Sequence, residues 1–174
     1  MTSTEGAGNR ILGALRSHDG TGIVTVQDRF DTDIDDLWAA ITDPARIARW
    51  LGEVEGDLRV GGEFRAHFSL ASGWEGTGRV EECEPPRRLR VTTWAVDQPD
   101  EHVIEVTLAG EGDQTILVLE ERGMPLDHLA GYGSGIQVHV EDLAAHLAGR
   151  DRCDAAARWA ELIPAYEALA AQVG

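Results

Sequence analysis

Across residues 132–147 the apolar side chains fall on a single face of a helix. Tyr132, Ile136, Val140, Leu143 and Leu147 are spaced by four, four, three and four residues, the repeat of a helix that buries one side. Gln137, Glu141 and Ala145 take the opposite side, which is therefore expected to stay wet. A stripe of this length needs an apolar partner surface of similar size. The chain before it supplies strands.

Residues 22–30 alternate, with Val24, Val26 and Phe30 set against Thr25, Gln27 and Arg29, the pattern of a half-buried strand. Ahead of it, Ile11, Leu12 and Leu15 suggest one short amphipathic turn before Asp19-Gly20. Residues 1–20 as a whole read as a flexible lead-in. Asp33 or Thr32 caps a helix reaching Thr42. Asp43 caps a second, with Pro44 at its first position and Ile47, Trp50 and Leu51 on its apolar face, ended by Gly52.

Six strands are then expected, over residues 58–60, 64–70, 74–84, 89–93, 104–108 and 115–119, separated by Gly- and Pro-containing turns. Such even spacing argues for an antiparallel meander, which curves and must have one face covered. Gly76 and Gly78 predict a bend or bulge. Gly131, Gly133 and Gly135 are expected to interrupt the helical region that Pro125 opens. Asp154 caps a last helix, kinked or restarted at Pro164. The fold class is α+β: a curved antiparallel sheet wrapped around a long C-terminal helix, with two short helices after the first strand. The domain spans residues 21–149, and 150–174 form an extra helical tail.

Charge narrows the partners. The 174 residues hold 31 acidic and 15 basic side chains, a net charge of -16. That surface repels phosphate backbones and anionic headgroups, so neither nucleic acid nor membrane is expected. Every base is Arg, which excludes a lysine Schiff base and a P-loop lysine. No apolar run is long enough to span a bilayer, and residues 1–9 lack a signal core. Cys83 and Cys153 are too few for a disulfide framework or a metal site. A cytoplasmic protein with reduced cysteines, no metal and no cofactor is expected, as monomer or homodimer.

Alternation predicts that Phe64, Ala66, Phe68, Val91, Thr93, Ile104 and Val106 point inward, opposite Tyr132, Ile136, Val140 and Leu143. The small residues Ala66, Gly76 and Gly78 predict unfilled space there, where a solid core wants bulk. Trp50, Trp74 and Trp94 lie near element ends and are expected to line a cavity mouth. Trp38 and Trp159 read as core or docking residues. His139 borders the stripe and is the candidate to hydrogen-bond a ligand oxygen or act as acid and base. His67 and His102 are expected to face outward. No HExxH, CxxC or GxSxG pattern occurs, and no catalytic set is assigned. The acid runs at Glu53, Glu55 and Asp57 and at Glu81, Glu82 and Glu84 read as solvated faces.

Trp38-Ala-Ala-Ile-Thr-Asp-Pro-Ala-Arg-Ile-Ala-Arg-Trp50 resembles a segment of the SRPBCC, or START-like, superfamily, whose fold is the helix grip. Val60-Gly-Gly-Glu-Phe-Arg65, the stretch from Gly78 to Leu89 and Gly131-Tyr-Gly-Ser-Gly-Ile136 resemble its heat-shock-protein ATPase activator-homology branch. The likeness covers about residues 22–148. It implies a deep apolar cavity for a bulky apolar or aromatic small molecule such as a lipid, hormone or polyketide. It also implies three functions: sequestration, cyclase or aromatase chemistry with His139, or a chaperone partnership. A small actinomycete group similar to this branch captures its host's enediyne antibiotic and is cleaved by its radical. The Lys-free, Arg-rich composition suits a GC-rich actinomycete. In that setting Gly110, Gly112 and the glycines from Gly131 to Gly135 become hydrogen-atom donors, because a glycine Cα–H is weak and unhindered.

Overall fold

The computed structural model describes residues 10–68, 74–96 and 100–173. Among these residues eight strands form one antiparallel sheet: β1 (Gly13–His18), β2 (Thr21–Phe30), β3 (Gly52–Gly56), β4 (Glu63–Phe68), β5 (Trp74–Glu84), β6 (Arg88–Ala95), β7 (Glu101–Glu111) and β8 (Gln114–Pro125). Their spatial order is β1-β2-β8-β7-β6-β5-β4-β3. The last six are thus a meander that closes back onto β2. Helices α1 (Ile34–Thr42) and α2 (Pro44–Trp50) link β2 to β3, while α3 (Leu129–Leu147) and α4 (Ala155–Ala170) follow the sheet. No helix among the described residues is long and apolar enough to cross a membrane.

The expected caps are in place. Asp33 Oδ1 accepts from the Asp36 amide at 2.8 Å and Asp43 Oδ1 from Ala45 at 3.0 Å. Each satisfies an amide that the first helical turn leaves free. The main core lies where α3 crosses β2, β7 and β8. Val24, Val26, Leu37, Leu117 and Leu143 are at most 2% exposed there.

Five expectations give way. Residues 13–18 are an edge strand paired to β2 rather than a turn in a flexible lead-in; Leu12 and Leu15 pack on the core as strand residues would. The strand expected at 58–60 lies instead at β3. Asp57 Oδ1 accepts from the Arg59 amide at 3.0 Å, folding 57–62 into a turn with Val60 exposed. The bulge in β5 falls between Val80 and Glu82, beyond both glycines.

The glycines of α3 do not interrupt it, and here packing is the reason. A Cβ on Gly133 would stand 2.5 Å from Tyr166 Cδ1 of α4, so Gly133 is what lets the two helices close. The face of α3 expected to be wet is covered by α4. Gln137 is fully buried. Its Oε1 accepts from the Leu12 amide (3.0 Å) and the Tyr166 hydroxyl, and its Nε2 donates to Arg10 O (2.7 Å) and Glu141 (2.9 Å). With all four bonds made, a buried amide costs little. Arg158 of α4 adds a two-pronged pair to Glu141, at 2.7 and 2.9 Å.

Candidate functional site

Between the sheet and α3 lies a cavity of about 760 Å³. It exists because α3 lies tight against the β2–β8 side of the sheet and stands off from β4–β6. The sheet wall is Phe68, Trp74, Thr93, His102, Ile104 and Glu121; the helix wall is Gly131, Tyr132, Gly135, Ile136 and His139. Ala155, Trp159, Ile163 and Glu167 of α4, with Asp127 and His128 ahead of α3 and Ala130 in its first turn, complete the lining. Asp127, His128 and Glu167 are exposed and form a polar rim.

The walls are aromatic. Phe68 stacks on Trp74 with centroids 4.9 Å apart, and the His139 ring meets Phe68 edge-on at 5.9 Å. Offset and edge contacts of this kind suit the ring quadrupoles. Burial, and secondarily Arg152, draws the His139 pKa down to about 4. The imidazole is therefore neutral at pH 7 and its ring behaves as part of the wall.

Seven of the fifteen residues named from sequence line this cavity: Phe68, Trp74, Thr93, Ile104, Tyr132, Ile136 and His139. Eight lie elsewhere. Val106, Val140 and Leu143 belong to the main core. So does Trp50, whose Nε1 donates to Ala40 O at 2.9 Å and whose ring borders a separate space of about 170 Å³. Phe64, Ala66 and Val91 pack in a second cluster with Val80. Trp94 is half-buried, with the Arg79 guanidinium 5.9 Å from its ring centroid.

The predicted space over Gly76 and Gly78 is filled. The Phe64 ring lies over Gly78, where a Cβ would come within 2.2 Å of it, and the Trp74 ring lies over Gly76. Those glycines accommodate rings, and the cavity opens further along the sheet. Of the glycines offered as radical targets, Gly131 and Gly135 line it, Gly133 faces α4, and Gly110 and Gly112 sit at the β7–β8 turn.

Sequence reasoning missed a buried polar pair. His102, expected outward, is 8% exposed and lines the cavity. Its Nδ1 lies 2.8 Å from Oε2 of Glu121, also buried. The signal was present: His102 shares strand parity with Ile104, Val106 and Leu108, and Glu121 with Leu117 and Leu119. His67 is exposed, as expected.

The Tyr132 ring packs 5.0 Å from His102. Burial, then Glu121 and Asp100, raise its hydroxyl pKa above the usual value. Trp159, read as a docking residue, does dock, through Nε1 to Gly131 O at 3.2 Å, and it lines the cavity as well.

Comparison with known proteins agrees with this architecture. No curated protein matches the chain. CalU16 from Micromonospora echinospora is similar in its crystal structure at 30% identity and a TM-score of 0.75, covering 91% of this chain and 95% of its own. DynU16, a protein of the dynemicin biosynthetic locus, is similar at 26% identity and a TM-score of 0.68, over 76% of this chain and 50% of its own. The model of the family described as "Activator of Hsp90 ATPase homolog 1-like protein" matches residues 31–148. Since that span runs from the start of α1 through the whole of α3, the chain belongs to that family of the SRPBCC, helix-grip type.

Proposed function

We infer that this protein binds a bulky apolar or aromatic small molecule in the cavity and sequesters or carries it. The observation that supports this most is the cavity itself: about 760 Å³, walled by Phe68, Trp74, Ile104, Tyr132 and Ile136. Pockets for drug-sized ligands run to roughly 300–1,000 Å³ with apolar walls and few polar groups. A guest of about thirty heavy atoms at about 0.3 kcal/mol each gains roughly 9 kcal/mol, a sub-micromolar affinity. Binding alone is then useful without chemistry.

The likeness to DynU16 supports an antibiotic or its precursor as the guest, and self-protection as the purpose. In the sacrificial form of this reading a bound enediyne cuts the chain at Gly131 or Gly135, and intact-mass measurement after exposure reads the cut.

Titration of apolar polycyclic probes against intrinsic tryptophan fluorescence tests the binding reading, since Trp74 and Trp159 both line the cavity. Saturable quenching that weakens in Phe68→Ala is the expected result. Absence of saturable quenching with every probe overturns it. The enzymatic alternative is favoured by one observation, the His102–Glu121 pair, and it moves the candidate base away from His139. Turnover of a polyketide-like substrate that stops in His102→Phe would establish it.

A further inference from the structure

We propose that His102 and Glu121 are the polar anchor of the cavity, where His102 Nε2 holds the hydroxyl of a hydroxy-aromatic guest. This rests on the cavity being a binding site. The pair bridges β7 and β8 with both side chains nearly closed off from solvent, 10% and 12% exposed. With the hydrogen of the His102–Glu121 contact assigned to Nδ1, Nε2 is left as an acceptor to engage something else.

Every fully buried side-chain nitrogen or oxygen among the described residues has a hydrogen-bond partner. Nε2 has none among those residues, since the one bond of this ring runs from Nδ1 to Glu121. Nε2 is therefore not fully buried, and the residue that carries it lines the cavity. Tyr132 flanks the ring at 5.0 Å, and Thr93 is its partner across β6 and β7.

Taking an imidazole and a carboxylate out of water is costly, and apolar residues of similar volume would line this wall at less cost. A guest oxygen on Nε2 completes the pair's hydrogen bonding, and the Glu121 contact fixes the ring so that little ordering remains at binding. The aromatic walls select a flat ring system, and Nε2 selects a hydroxyl on its edge. In this bond the guest hydroxyl donates and Nε2 accepts. Sites built to bond a substrate hydroxyl discriminate against analogues that lack it, because a buried polar group is then left unpaired.

The test is fluorescence titration of the full chain with pyrene, 1-hydroxypyrene and 1-methoxypyrene. The hydroxyl compound is expected to bind about tenfold tighter than pyrene, and the methoxy compound, which has no proton to donate, about as pyrene does. His102→Phe should abolish the preference of the hydroxyl compound over pyrene; Glu121→Gln should shrink it. Equal wild-type affinities, equal preference for the methoxy compound, or a preference that survives His102→Phe each overturn the anchor while leaving the cavity reading standing. Failure of all three probes to bind overturns both. Should His102→Phe not fold, the wild-type ratios and the Glu121→Gln titration still separate an anchored guest from an unanchored one.

Discussion

The two halves of the sheet meet α3 differently. On the β2–β8 half, Val24, Val26, Leu117 and Leu143 interlock and are at most 2% exposed. On the β4–β6 half, Phe64, Ala66 and Val80 form a separate small cluster, and Phe68 and Trp74 face the cavity half-buried. The same alternating pattern thus produces a solid core at one end and a vacant space at the other. The placement of α3 against β1, β2 and β8 explains this better than residue choice. Inward-facing bulk is available on both halves, but α3 approaches only one of them closely. Stability should therefore reside in the first half and binding in the second.

Substitution can break that division. Leu143→Ala, in the solid half, is expected to cost about 3 kcal/mol in denaturant unfolding, because the cavity it leaves cannot collapse. Phe68→Leu, in the open half, is expected to cost less than about 1 kcal/mol, since one side of the ring already lacks neighbours. Its effect should appear as a several-fold loss of affinity for an aromatic probe. Comparable unfolding costs for the two variants would dissolve the distinction.

A second pair sharpens it along α3. Alanine normally gains about 1 kcal/mol over glycine inside a helix. At Gly133 that gain is outweighed by the 2.5 Å approach to Tyr166 Cδ1, so Gly133→Ala should lower stability by about 2 kcal/mol. At Gly131 the new Cβ would meet only Trp159, at 3.7 Å. Gly131→Ala should then be neutral or stabilising by up to about 1 kcal/mol. Thermal unfolding of both variants side by side reads the contrast.

The open half should also carry a pH signature. The folded-state pKa of His139, about 4, lies below its ordinary 6.5. The unfolded chain therefore takes up the proton first as pH falls. This contribution is complete above about pH 6.5 and is lost progressively toward pH 4. Part of the ring remains open to the cavity, so the loss between pH 7 and pH 5 should be roughly 1–2 kcal/mol. His139→Phe should flatten the slope of stability across that window; an unchanged slope would place the titration elsewhere. One further effect belongs to neither half. Asp43→Ala removes the α2 cap and should cost about 1 kcal/mol with probe affinity unchanged.

Local chemistry accounts for what could be read ahead of the structure. Caps at Asp33, Asp43 and Asp154 act within three residues, and the period-two pattern of β4–β8 needs only neighbours along the strand. His102 was legible by the same parity that placed Ile104 inward, but its polarity argues outward where its position argues inward, and position won. Gln137 was not legible. Its burial depends on Leu12 and Tyr166, 125 and 29 residues away, and nothing within one helical turn announces them. Nor was the filling of the space over Gly78, which needs the Phe64 ring folded across from the neighbouring strand.

The chain's own pattern thus determined the class of fold, the order of its elements and which strand faces turn inward, because each follows from side-chain periodicity and local hydrogen bonding. Tertiary structure alone decided how α3 sits on the sheet, that α4 covers its far side, and that His102 meets Glu121 within a cavity. Those outcomes depend on how bulky groups distant in sequence exclude one another, and no window along the chain contains both partners.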